Sequence, residues 1–179
     1  MKIEIVRSKK RRRTVGARIV GDTMQVNAPV DMPEKKLADI IEGFQKRFER
    51  RKLKKELNKE KDLNDIFERL NEKYFAGKLS VKAIEYVTNQ QKKYGCCNYR
   101  AKTIRISHRL AEMPEWVRDY VVVHEMAHLI EPNHSPAFWD IAYRYKLAER
   151  ARGYLMAKGM EGDDESDIEN NAIIGEENI

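Results

Sequence analysis

The run Tyr120-Val-Val-Val-His-Glu-Met-Ala-His-Leu-Ile130 constrains this chain more than any other stretch. As a helix it has almost no polar side, because Val121, Val122, Val123, Met126, Ala127, Leu129 and Ile130 occupy every direction around the axis. Such a helix is expected to be buried. It nevertheless carries His124, Glu125 and His128, and two imidazoles and a carboxylate are costly to bury without specific partners. Positions i and i+4 share a helix face, so His124 and His128 aim at one spot. Glu125 lies about 100° round the axis from His124, within reach of a water at that spot. A metal ion satisfies all three groups. Neutral imidazole suits zinc, and three protein ligands leave a fourth position for water. The ion acidifies such a water, and a neighbouring carboxylate takes its proton as the water attacks a carbonyl.

The third ligand is expected from the turn that follows. Pro132 disfavours helical geometry at Glu131, so the chain must turn there and can bring His134 back. The spacing of His134 matches the metzincin pattern, but the glycine of that pattern falls at Glu131, so the chain is not a metzincin by sequence. The reading is one ion per chain, zinc or another divalent metal, on His124, His128 and His134, with Glu125 as general base. Glu149, 21 residues after His128, has a spacing compatible with the third ligand of gluzincins, and ranks below His134. His108 is expected in a turn or sheet away from the metal. Glu131 and Asn133 either hydrogen-bond a ligand imidazole or serve the turn. Tyr94, Tyr143 and Tyr145 are oxyanion donors or, more simply, core residues.

The rest of the chain reads as α+β. Three β-like runs (residues 2–6, 14–20 and 23–28) precede a helix capped at Asp31, with Gly21-Asp22 as hairpin turn. Leu37, Ile40, Ile41, Phe44 and Phe48 give that helix an apolar face, and the charged stretch 46–61 is its solvated end and a junction. A second helix spans Leu63 to Phe75 and stops at Gly77. Runs 81–87, 94–99 and 102–107 predict a small, mainly antiparallel sheet. A helix from Pro114 to about Ile130 follows, then another restarting at Ser135-Pro136, with Phe138, Ile141, Ala142, Tyr145, Ala148 and Leu155 on one apolar face. The expected organisation is a basic β-hairpin and helix (1–60), a metal-dependent hydrolase region (61–160) and an acidic, disordered tail (161–179).

Charge is split unevenly. The net charge is +6, yet residues 161–179 hold 8 acids and no base, so the body carries +14. A basic body attracts phosphates, nucleic acid or acidic polypeptide. Three functions compete: hydrolysis of a peptide bond, hydrolysis of a nucleotide phosphoanhydride held by Lys9–Arg13, and a nucleic-acid-associated module in which the metal is secondary. Weak polyanion binding through the basic N-terminal region fits the latter two. Cys96 and Cys97 are adjacent and point to opposite faces of a strand, which argues against an ordinary disulfide and for a reducing compartment; as metal ligands they lack a CxxC partner pair. No apolar run has signal-peptide or membrane-spanning length, so the expected location is the cytoplasm, with no membrane partner.

The block Val121-Val122-Val123-His124-Glu125-Met126-Ala127-His128-Leu129, followed by Asn133-His134-Ser135 and Phe138-Trp139, resembles the YgjP-like metallopeptidase family, relatives of the SprT-type zinc proteases. Tyr94-Gly95-Cys96-Cys97 stands where that family has W-G-S-C, with Tyr94 replacing the Trp and Cys96 the Ser. Ile104-Arg105-Ile106-Ser107 and Arg109-Leu110 match its strand and turn, so the resemblance spans roughly residues 1–155. It implies a zincin-like fold, with three His ligands at His124, His128 and His134 and a catalytic glutamate at Glu125.

Overall fold

The structure, a computed structural model, describes residues 1–60, 62–90 and 92–159. The acidic segment 161–179, with its expected disorder, lies outside the described residues. The chain divides into two units, Met1–Leu53 and Lys54 onward.

The first unit is a three-stranded sheet and the start of a long helix. Strands β1 (Lys2–Ser8), β2 (Gly16–Val20) and β3 (Thr23–Pro29) are ordered β1-β3-β2. The expected hairpin joins β2 to β3 antiparallel, and Gly21 adopts φ 58° in its turn, where a side chain would be strained. β1 runs parallel to the far edge of β3. Met24, Val26 and Ala28 alternate inward on β3 and meet Leu37 and Ile41 of helix α1 (Glu34–Glu60), with Phe44 and Phe48 packed beside them.

α1 continues without a break through the charged stretch, and the division between units falls inside it. Its last turns are tied down rather than merely solvated. The Asn58 amide pairs with the backbone of Tyr86, accepting from its N–H at 2.8 Å and donating to its carbonyl at 3.0 Å. Lys54 reaches Glu85 at 3.0 Å.

The second unit carries the helix with His124 and Glu125. Helix α2 (Leu63–Phe75) starts where Asp62 accepts a hydrogen bond from the Asn64 N–H at 2.8 Å, and ends with Ala76 and Gly77 both in the left-handed region. Strands β4 (Ala83–Val87), β5 (Gly95–Asn98) and β6 (Thr103–Ser107) are ordered β4-β6-β5. β6 pairs with β5 antiparallel and with β4 parallel, so the sheet is evenly mixed. Ile84, Tyr86, Cys97, Ile104 and Ile106 form its buried face. A 3-10 turn (His108–Glu112) leads to α3 (Glu115–Ala127), α4 (Pro136–Ala142) and α5 (Ala148–Ala157).

α3 is the central helix, contacting β5, β6, α2, α4 and α5. Every residue from Asp119 to Ala127 is buried, as the lack of a polar side required. Two helix limits differ from expectation. α3 stops at Ala127 rather than about Ile130, because Leu129 and Ile130 donate to carbonyls three residues back and tighten the exit ahead of Pro132. The helix restarted at Ser135 breaks into α4 and α5. Arg144 and Tyr145 make the same tighter bonds, and the Tyr145 hydroxyl donates to the Trp116 carbonyl at 2.9 Å. All six residues of the expected apolar face are buried even so.

Asp119 is the charged anchor of α3. Its carboxylate accepts from Arg69 at 2.7 Å and from Arg118 at 3.2 Å, with Asp119 and Arg118 largely enclosed. Removing one member of an enclosed pair strands the other's charge. Asp119→Ala is therefore expected to destabilise the fold by about 3 kcal/mol, read from urea unfolding. A loss below about 1 kcal/mol would mean the pair behaves as a surface bridge. Among the described residues, no helix is long and apolar enough to cross a membrane.

Candidate metal centre

α3 delivers His124 and Glu125, its C-terminal cap residue is His128, and the turn at Pro132 returns His134 just ahead of α4. Ser135 starts α4 by accepting from the Phe138 N–H at 3.3 Å, with Pro136 in the first turn. Local chain chemistry thus sets the position of His134. One ring nitrogen from each of His124, His128 and His134 lies within 4.8 Å of the others. His124 and His134 face each other through their Nε2 atoms at 3.1 Å. Two such nitrogens are held together by a shared proton or by a cation between them.

The surroundings favour the neutral form of His124. Burial above all, then His128, His134 and Arg152, holds the His124 pKa well below the usual histidine range. His128 Nδ1 lies 3.3 Å from the Glu131 carbonyl oxygen; donating its proton there would make Nε2 the ring's lone-pair nitrogen. Glu131 thus meets the His128 imidazole through its backbone rather than its side chain. The rings are clamped by aromatics: Phe138 stacks on His128 at 4.4 Å and Trp139 on His134 at 5.5 Å. The Arg152 guanidinium lies over the far side of this group, 4.5 Å from the Trp139 ring centre. Three converging ring nitrogens fit a divalent ion of the zinc type.

Glu125 is 6% exposed and lies directly against β5. A Cβ built on Gly95 would fall 2.3 Å from Glu125 Oε1. The other candidates separate cleanly. His108 opens the 3-10 turn and Glu149 is exposed at the start of α5; neither joins the histidine group. Asn133 is exposed in the turn. Tyr145 gives its hydroxyl proton to the Trp116 carbonyl, and burial, with the Asp119 charge, pushes its pKa up to about 12. Tyr94 is buried beneath the Arg109 guanidinium, 4.1 Å from its ring centre, and Tyr143 meets Arg152. Burial first, and the Glu125 charge second, push the Cys97 thiol far above its ordinary range, and Cys97 does not join the histidine group. Gly95 and Arg152 were not singled out from the sequence. A glycine inside a strand was the available sign for the first; Arg152 left none.

The chain resembles the metallopeptidase zymogen abylysin of Pyrococcus abyssi at 21% identity, over 53% of this chain and 92% of that one, with a TM-score of 0.46. It resembles the zymogen jannalysin of Methanocaldococcus jannaschii at 20% identity, over 55% and 98%, also with a TM-score of 0.46. No curated protein matches it. The family model described as YgjP-like, metallopeptidase domain matches residues 45–148, from within α1 to the first residue of α5 and through all three histidines. That match covers more than half of the chain, and the chain belongs to the YgjP-like metallopeptidase family.

Proposed function

We propose that this protein hydrolyses peptide bonds with one zinc ion held by His124, His128 and His134, and with Glu125 as general base. The observation that carries the reading is the convergence of three imidazole nitrogens within 4.8 Å beside a buried carboxylate, inside a metallopeptidase domain. An ion bound there supplies Lewis acidity, lowering the pKa of a water and polarising the scissile carbonyl. The residues do the rest. Glu125 takes the proton of the attacking water on a carboxylate oxygen, and passes it to the departing amine. The Glu131 carbonyl fixes the His128 ring, while Phe138 and Trp139 hold the ligand rings in place and keep bulk water from them. β5 is an edge strand, so an extended peptide can add to it through backbone pairing and pass Glu125 at Gly95.

The family match favours the peptide over the nucleotide and nucleic-acid alternatives. Those depended on Lys9–Arg13, which lie between β1 and β2. The test is a side-by-side assay of zinc-loaded protein on casein and on nucleoside triphosphates. Casein cleavage that a chelator abolishes and zinc restores is expected. Triphosphate hydrolysis without peptide cleavage would overturn the reading.

A further inference from the structure

The absence of a side chain at Gly95 has no backbone explanation. Gly95 is the first residue of β5, paired with Ile106, and is not among the residues with positive φ. Any L residue could adopt this conformation, and glycine weakens a strand relative to almost any of them. What the position lacks is room. An ideal Cβ would lie 2.3 Å from Glu125 Oε1 and 2.7 Å from both Glu125 Cδ and Cγ. All three atoms belong to one side chain, and the next residue pointing the same way along β5 is the buried Cys97. The three nearest obstructions to a Cβ are therefore all atoms of Glu125. Gly153 differs, because nothing lies within 4 Å of its Cβ direction.

We propose that Gly95 is a positioning residue for Glu125: its missing Cβ opens the slot in β5 that holds the carboxylate in its working orientation. The proposal rests on the general-base reading of Glu125 and adds the element that aims it. Because the obstructed atoms are the outer part of a side chain, a Cβ at this position is relieved by swinging Glu125 aside and not by moving the strand. The metal ligands belong to other residues and keep their places. Gly95→Ala is thus a variant with its metal and fold retained and its base misdirected. A displacement of this kind costs on the order of 10–100-fold in rate.

The experiment is a cycle of Gly95→Ala and Glu125→Gln, with Gly153→Ala as a control. Metal content, Tm, kcat and KM on a casein-derived peptide are read for each. Gly95→Ala is expected to hold one metal ion per chain, to melt close to the parent, and to lose kcat about 10–100-fold with KM little changed. In the Glu125→Gln background the same substitution should change the residual rate less than about twofold, because the group it misdirects no longer accepts a proton. Should Gly95→Ala fold poorly, the double variant Gly95→Ala/Glu125→Ala, which removes the three nearest obstructed atoms, should recover the Tm and metal content of Glu125→Ala. A slow Glu125→Gln beside a Gly95→Ala of parental kcat overturns this proposal alone. So does an equal fractional loss in both backgrounds, or a double variant that stays unfolded. A Glu125→Gln of parental kcat overturns the general-base reading, and this proposal with it.

Discussion

Glu125→Gln is expected to keep its metal and to turn over peptide about 10²–10⁴-fold more slowly than the parent. The amide has the shape of the carboxylate, so the slot against Gly95 stays filled and α3 keeps its packing. What it loses is the ability to accept a proton from water. Glu125 is enclosed by the protein, so bulk solvent does not readily supply a substitute base. The measurement is kcat on a casein-derived peptide, alongside metal analysis and Tm of the same preparation. Parental turnover from a metal-loaded variant would place the base elsewhere. Low turnover with lost metal would point to a structural role for the carboxylate.

His124→Ala should lower metal occupancy from about one ion per chain to near zero, and take activity with it. His124 is the most enclosed of the three histidines, faces His134 directly, and has a neighbour in each of the other two rings. Removing it leaves two half-buried imidazoles, too few donors for a structural or catalytic zinc site. An ion held by these three residues would tie the end of α3 to the turn before α4, so its loss should also remove linked stability. A ligand at a thousandfold its Kd contributes about 4 kcal/mol, which for a chain of this size corresponds to a fall of roughly 8–16 °C in Tm. Stripping the parent with a chelator should give a similar fall, reversed by zinc. His108→Ala is the control, since His108 begins the 3-10 turn outside the histidine group and should leave occupancy unchanged. Full occupancy in His124→Ala would sink the assignment.

The parts of this protein legible in its sequence are those governed by local periodicity. His124, Glu125 and His128 share a buried helix because their spacing and the apolar residues between them leave no other arrangement. Pro132 bends the chain, and Ser135-Pro136 restarts it, so His134 returns to the same place. The limits of α2 follow from Asp62 at one end and the Ala76-Gly77 left-handed pair at the other. Each of these depends on groups a few residues apart, whose geometry the backbone itself fixes.

Tertiary packing alone decided the rest. A β-like run does not state its partner, so the parallel pairings of β1 with β3 and of β4 with β6 could not be read from alternation. The break between α4 and α5 depends on Tyr145 reaching a carbonyl on α3, and the apolar spacing of 138–155 is equally consistent with one helix. The anchoring of His128 uses a backbone carbonyl, which every residue possesses and no sequence marks. Gly95 and Glu125 lie on a strand and a helix that meet only when the sheet packs on α3. Residue type and spacing carry the chemistry of a site along one element. The clearance that aims it, a fraction of an ångström between elements, exists only once those elements are packed.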